Sequence, residues 1–156
     1  MKKTNALRIL DRHQVAYQLV EYSYDPNNLA VTKIAEANKL QLSLVYKTLV
    51  AKGDKTGVIV AVIPGQKELN LKALAKASSN KKMALVQVKE LQTLTGYIRG
   101  GCSPIGMKKA YPIFIDEDAA QEELIYVNAG VRGLLFGANP QEIQRISGAV
   151  FANIGV

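Results

Sequence analysis

Apolar residues recur along the chain at two spacings, one typical of helices and the other typical of strands. In residues 4–13, Leu7 and Leu10 lie three positions apart and Thr4 or Asn5 can cap the first turn, which predicts a short helix. The same criteria predict helices at 32–38, at 70–77 behind Asn70 as N-cap, at 88–95 before Gly96, and from Pro140 onward.

Runs of β-branched and alternating residues predict the strands. Residues 45–52 and 57–64 are two such runs, and the turn residues 53–56 between them favour a hairpin. Neither a repeat nor a linker interrupts the chain, so residues 1–156 are predicted to form a single α+β domain with a mixed, curved sheet. Further strands are predicted at 17–22, 112–115, 124–128, 134–136 and 149–154.

Composition narrows the class of protein. The length of 156 residues and the apolar content of 48% suit one core, and the apolar stretches are far shorter than the roughly 20 residues that span a bilayer. The start of the chain lacks the apolar segment of a signal peptide. Because Cys102 and His13 are the only cysteine and histidine, we expect no disulfide, no zinc site and a cytoplasmic location. We expect no cofactor either.

The net charge of +7, from 20 Lys and Arg against 13 Asp and Glu, attracts phosphate backbones. Charge of this size also serves solubility alone, so both interpretations stay open. The candidates for contacts with a nucleic-acid backbone, which a solvated lysine face explains equally well, are Lys72, Lys76, Lys81, Lys82, Lys108 and Lys109.

Three segments carry a more specific signal. They are Tyr46-Lys47-Thr48-Leu49, then residues 95–106 with the pattern Thr-Gly-Tyr-x-x-Gly-Gly-x-Ser-Pro-x-Gly, then residues 125–134. In this order and spacing they resemble the YbaK/EbsC family of Cys-tRNA(Pro) deacylases, which is related to the editing domain of bacterial prolyl-tRNA synthetases. Weaker support comes from Tyr22 before the turn at 25–28 and from residues 69–72.

The resemblance implies a strongly curved, barrel-like sheet flanked by helices, and a hydrolase that edits mischarged tRNA in trans. Its substrate would be Cys-tRNA(Pro), and Cys-tRNA(Cys) is a further candidate. The partners would be the aminoacylated 3′ end of tRNA and, as a further candidate, prolyl-tRNA synthetase. No membrane partner is expected.

Lys47 is the first candidate catalytic residue. On a strand it would share a face with Val45, Leu49 and Ala51, where an ammonium group either extends to solvent or holds an anion in a pocket. The resemblance favours the second interpretation, because it places an essential lysine of the substrate cleft here. That lysine would pair with the terminal phosphate or steady the reacting ester.

The loop around Gly100 and Gly101 is the second candidate. Two glycines let a ligand approach the backbone closely, and free N–H groups could stabilise charge on the ester carbonyl, although a plain loop is the alternative. The resemblance assigns Gly101 to catalysis. It places the substrate-binding residues at Tyr22, Thr48, Gly100, Ser103, Pro104, Asn128 and Gly130.

The sequence offers no protein nucleophile with an activating base. Ser103 and Cys102 would each need His13, which lies in the first predicted helix without an acidic partner beyond Asp11. Cys102 is therefore interpreted as a small apolar residue. The resemblance instead implies that the thiol of the bound cysteine attacks its own ester, so the protein supplies only positioning and oxyanion donors.

Two departures from the family pattern affect the substrate range. Asn128-Ala129-Gly130 stands where the family often has Ser-Gly-Gly, and Leu135 stands near a position that is often acidic or polar. Deacylation of Ala-, Ser- or Thr-charged tRNA is therefore an alternative function. A non-catalytic module that binds tRNA or a synthetase is another, and it would release no amino acid.

Overall fold

The computed structural model describes residues 3–156, in which helices and strands are interspersed as predicted. The helices are α1 (Asn5–Arg12), α2 (Val31–Ala37), α3 (Leu71–Ala77), α4 (Val88–Thr95) and α5 (Pro140–Ser147). The strands are β1 (Tyr17–Glu21), β2 (Tyr46–Gly53), β3 (Gly57–Pro64), β4 (Met83–Leu85), β5 (Ile113–Asp116), β6 (Ile125–Asn128), β7 (Leu134–Ala138) and β8 (Val150–Ala152).

Local signals set most of these boundaries. The side chain of Thr4 accepts a hydrogen bond from the N–H of Leu7, and Asn70 does the same for α3. Gly96 ends α4 in the left-handed conformation, with φ of 85°. The sequence did not predict strand β4, which is short and largely exposed, or the 3-10 helices Leu42–Leu44 and Glu117–Gln121.

The strands form two sheets. One has the order β1-β7-β6 and is antiparallel throughout. The other has the order β4-β2-β3-β5-β8, in which β2 pairs antiparallel with β3 and β4, while β5 pairs parallel with β3 and β8. The predicted hairpin of β2 and β3 is therefore confirmed, as is the mixed α+β class.

The barrel-like closure that the family resemblance implied is wrong. A barrel needs continuous pairing around the whole circumference. Within residues 3–156 the two sheets are joined by a single bridge, between Val45 and Tyr126, and β4 and β8 remain the two edges of the five-stranded sheet. The bridge nevertheless holds the start of β2 beside β6, which brings together two of the sequence motifs.

The alternation of side chains along β3 divides the core between the two faces of the larger sheet. Val60 and Val62 point into the main core with α1, α5 and the smaller sheet, whereas Ile59, Ala61 and Ile63 pack against Leu74 of α3. Lys47 lies opposite Ile63 in the antiparallel register and therefore shares the face that α3 covers. Within residues 3–156, no helix has the length and apolar character needed to cross a membrane.

Candidate active site

A pocket of about 460 Å³ lies beside the start of β2. Its walls come from residues 27–32 and Ile34 around the beginning of α2, from residues 45–49, and from Gly100, Cys102, Asn128 and Leu135. This volume is typical of small-molecule sites, which span about 300–1,000 Å³. The only charged side chains in its described lining are Lys47 and Arg99, so the pocket is electropositive.

A second groove, of about 540 Å³, lies on the outer side of α2. It shares Asn28 and Ile34 with the pocket but contains none of the site residues that the sequence predicts. The pocket beside β2 is therefore the better candidate, because the Lys-Thr element and the glycine loop meet there although about 50 residues of chain separate them.

Lys47 is held at the wall of this pocket by the backbone that follows β3. Its Nζ donates to the carbonyl of Gly65 at 3.3 Å, which leaves other donor positions of the ammonium group available. Burial lowers the pKa of Lys47 from its usual value, and the negative charge of Glu68 partly offsets that effect. The ammonium is thus partly desolvated, which strengthens its attraction for an anion or a developing oxyanion.

Thr48 lines the same pocket, one position further along β2. Its hydroxyl oxygen is buried and has no hydrogen-bond partner among residues 3–156. Buried polar side chains nearly always have a partner, because an unpaired one costs free energy. The hydroxyl is closed off from solvent, and because side chains alternate along β2 it points to the face of Val62, opposite to that of Lys47. A ligand could therefore reach it only if the pocket wall moves.

The glycine loop contributes Gly100 and Cys102 to the lining, and Gly101 lies behind them. The N–H of Gly101 donates to the carbonyl of Ile98 at 2.9 Å, so it is not a free oxyanion donor. Gly101 is required instead for packing, since an added Cβ would lie 3.0 Å from the backbone nitrogen of Arg132. The N–H groups of Gly100 and Cys102 donate to no acceptor in the described part of the chain and are the better oxyanion candidates.

Asn128 ties the pocket wall together. Its Nδ2 donates to the carbonyl of Gly100 at 2.9 Å and to the hydroxyl of Tyr22 at 3.3 Å, and its Oδ1 accepts from the N–H of Gly130 at 2.6 Å. These bonds use both ends of the amide. Asn128 therefore positions the glycine loop, and direct contact with a substrate would have to compete with that network.

The other predicted substrate-binding residues support the pocket from outside its lining. Tyr22 is buried beneath Asn128, and Gly130 has a φ of 105° and packs close to the ring of Tyr97. Ser103 is fully buried, and its hydroxyl accepts from the N–H of Ile105. Pro104 lines a separate groove. The structure thus brings Lys47, Thr48, Gly100 and Asn128 to one pocket and leaves these four residues around it.

The thiol of Cys102 is a poor nucleophile in this setting. Cys102 is 7% exposed, and burial raises the pKa of its thiol to about 12, so it stays protonated at neutral pH. His13 is exposed at the C-terminal end of α1, where its carbonyl accepts from Arg145. Among the described residues, no group of three or more His, Cys, Asp or Glu side chains is placed to hold a metal ion.

All six lysines proposed for tRNA contacts are exposed. Lys72 and Lys76 lie on the outer side of α3, and Lys81 and Lys82 follow it in the turn that Asp54 fixes through their backbone N–H groups. Lys108 and Lys109 follow the glycine loop, and Lys109 lines the same separate groove as Pro104.

Sequence reasoning missed Arg99, which lies in the lining although the motif pattern leaves its position unspecified. It also missed the segment 27–31 and Gly65, which line the pocket through the tertiary fold. The turn residues at 25–28 could have indicated the segment 27–31, whereas no local pattern in the sequence indicates Gly65.

A family model described as the aminoacyl-tRNA editing domain matches residues 25–146. The chain belongs to this family. The matched range contains the whole pocket lining, so the editing family that the motifs predicted is confirmed.

Two individual relatives have names that are consistent with this assignment. A protein of Enterococcus faecalis, provisionally named Cys-tRNA(Pro)/Cys-tRNA(Cys) deacylase EbsC, is 46% identical over 153 residues, which cover 98% of this chain and 93% of the relative. A proline–tRNA ligase of Thermosipho africanus is 27% identical over 99 residues, or 64% of this chain and 18% of the ligase.

A crystal structure provisionally described as a trans-editing enzyme for prolyl-tRNA synthetase has the same fold. Its TM-score is 0.82 at 23% identity, and the alignment covers 100% of this chain and 99% of that one.

Proposed function

We propose that this editing domain releases cysteine from mischarged Cys-tRNA(Pro), with Cys-tRNA(Cys) as a second substrate. The 46% identity to the Enterococcus protein over nearly the full length supports this substrate. The observation that carries the mechanism is the pocket itself, which presents a partly desolvated lysine but no nucleophile with an activating base in its described lining.

In the proposed reaction the thiol of the bound cysteine attacks its own ester carbonyl. A carbon–sulfur bond forms, the ester carbon–oxygen bond breaks, and the thiol proton passes to the departing 3′-terminal ribose oxygen through solvent. The products are free tRNA and a cyclic thioester, which water opens to cysteine. The pocket needs only to orient the ester and stabilise the oxyanion, as Lys47 and the free N–H groups of Gly100 and Cys102 would do.

This mechanism also supplies the discrimination that editing requires. A pocket that separates apolar groups by shape gains only about 10- to 200-fold per methylene. Proline carries no thiol, so cognate Pro-tRNA(Pro) is excluded by chemistry.

The decisive experiment compares tRNA(Pro) charged with cysteine and with 2-aminobutyrate, which replaces the thiol by a methyl group of similar size. We expect rapid deacylation of the first, and release of the second at the rate of buffer hydrolysis. Equal rates for the two would contradict attack by the substrate thiol and would favour a water-based deacylase.

The second candidate function is deacylation of Ala-, Ser- or Thr-tRNA. The observation that favours it is Leu135, which lines the pocket and lies near a position that is often acidic or polar in the family. A panel of tRNA(Pro) charged with each amino acid separates the candidates. A non-catalytic binding module would bind every member of the panel and accelerate no release.

We further propose that the editing domain works alongside prolyl-tRNA synthetase. The match to part of a proline–tRNA ligase supports this partner. The proposal is tested by measuring whether added synthetase lowers the KM for Cys-tRNA(Pro), and an unchanged KM would remove the synthetase from the mechanism.

A further inference from the structure

Two arginines, Arg99 and Arg132, lie next to Gly100, which belongs to the pocket lining. Arg99 belongs to the pocket lining, and its carbonyl accepts a hydrogen bond of 2.9 Å from Nε of Arg132. The side chain of Arg132 passes close over Gly100, because a Cβ built on that glycine would lie 3.2 Å from the same Nε atom. The short stretch of backbone at Arg99 and Gly100 therefore carries one guanidinium group as its own side chain and holds the other, that of Arg132, by a hydrogen bond.

Neither guanidinium group has a counter-ion in the part of the chain that the structure describes. The ion pairs within residues 3–156 involve Lys3, Lys67 and Arg145, and neither Arg99 nor Arg132 takes part in one. The bond to Arg99 uses only Nε of Arg132, which leaves its two terminal nitrogens without a protein acceptor in that range. Together with Lys47, and with no acidic side chain in the pocket lining, these guanidinium groups make the local potential positive and favour an anionic ligand.

The neighbours of the arginines narrow the class of ligand. Each arginine follows an exposed apolar side chain, Ile98 at 44% and Val131 at 46% exposure. Cationic forks next to apolar surface suit single-stranded nucleic acid, whose phosphates pair with arginine while its bases and riboses contact apolar groups.

We propose that Arg99 and Arg132 form a clamp that binds the phosphate linking the last two nucleotides of the tRNA 3′ end. The proposal rests on the proposed function, because the reacting ester lies on the ribose next to that phosphate. In this arrangement the positively charged side chains of the site have different roles. The clamp holds the backbone, and Lys47, bonded to Gly65 at the pocket wall, remains for the ester.

The clamp is tested by binding alone, with an uncharged acceptor-stem RNA ending in CCA. One version carries the natural phosphodiester at the last linkage, and the other carries a neutral methylphosphonate there. We expect the protein to bind the natural RNA about tenfold more tightly, as charge-assisted hydrogen bonds of this kind imply. Fluorescence anisotropy at low salt measures both affinities.

Three variants locate the effect. Arg99→Gln should bind the two RNAs equally, and its affinity for the methylphosphonate RNA should match that of the unmodified protein. Arg132→Lys keeps the charge but not the fork, and should keep only part of the preference. Arg12→Gln removes one exposed arginine from α1 and is the matched control, which should keep the whole preference.

The clamp is overturned if the unmodified protein binds both RNAs equally, if it binds neither, or if Arg99→Gln keeps the original ratio. The same proteins are assayed on Cys-tRNA(Pro). Phosphate-dependent binding without deacylation would leave the clamp standing and refute the proposed function. Deacylation with equal binding of the two RNAs would refute the clamp and leave the proposed function standing.

Discussion

The buried hydroxyl of Thr48 allows a prediction in which stability and activity change in opposite directions. Its oxygen has no partner among the described residues, and the residue belongs to the pocket lining. Valine has nearly the shape of threonine but replaces the hydroxyl by a methyl group. Thr48→Val therefore removes the unpaired polar group without opening a cavity.

The magnitudes follow from the cost of an unsatisfied group. Burying a hydroxyl without a partner costs about 1–3 kcal/mol, so Thr48→Val should raise the free energy of unfolding by about that amount. For a domain of this size, each kcal/mol raises Tm by about 2–4 °C. If the hydroxyl bonds to the bound substrate, losing that bond of about 0.5–1.5 kcal/mol should lower kcat/KM by roughly 2- to 12-fold.

Urea unfolding and steady-state deacylation of Cys-tRNA(Pro) measure the two effects. Thr95 provides the matched control, because it is 1% exposed and its hydroxyl is fully used. That hydroxyl donates to the carbonyl of Leu91 at 2.8 Å and accepts from the N–H of Tyr97 at 3.0 Å. Thr95→Val should therefore destabilise the protein by about 1–3 kcal/mol.

Two results would refute this reasoning. A loss of stability in Thr48→Val comparable to that in Thr95→Val would show that the Thr48 hydroxyl is paired in the folded protein. An unchanged kcat/KM in a stabilised Thr48→Val protein would show that the hydroxyl does not touch the substrate.

Four further changes test other parts of the site. Lys47→Met should lower kcat/KM by about 100-fold or more. Because burial lowers the pKa of Lys47, its charge costs stability at every pH below that lowered pKa, and the cost disappears as the pH rises towards the pKa of the unfolded chain. The Lys47→Met protein should therefore be at least as stable at pH 7 as the unmodified protein. A large destabilisation of this variant in urea would contradict that expectation. Gly101→Ala should reduce kcat more than tRNA affinity, because the added Cβ meets neighbouring backbone at 3.0 Å and shifts the loop; full activity in a folded variant would contradict this. Cys102→Ala should keep kcat within about twofold, since its thiol is protonated with a pKa of about 12, and a large loss of activity at retained stability would restore it as a nucleophile. Paired charge reversal at Lys72 and Lys76 should flatten the dependence of tRNA affinity on salt and raise KM more than it lowers kcat, whereas an unchanged slope would leave these lysines as a solvated surface.

Much of the secondary structure could be predicted from the sequence, because its causes are local. The Thr4 cap, the Gly96 stop and the turn between β2 and β3 each act within a few residues of chain. The three motifs also sufficed to predict the editing family, since their order and spacing are written along the chain. Lys47, Thr48, Gly100 and Asn128 were candidates on that ground, and they line one pocket.

The tertiary structure decided what periodicity cannot encode, namely which distant groups meet and which hydrogen bonds are already used. Among the described residues, the two sheets pair only at the bridge between Val45 and Tyr126, so they do not close into a barrel. No local pattern predicts whether strands this far apart in the chain will pair. The sequence made the N–H of Gly101 a candidate oxyanion donor, but in the fold it donates to the carbonyl of Ile98. The unpaired hydroxyl of Thr48 and the meeting of Arg99 with Arg132 likewise depend on packing between segments far apart in the chain.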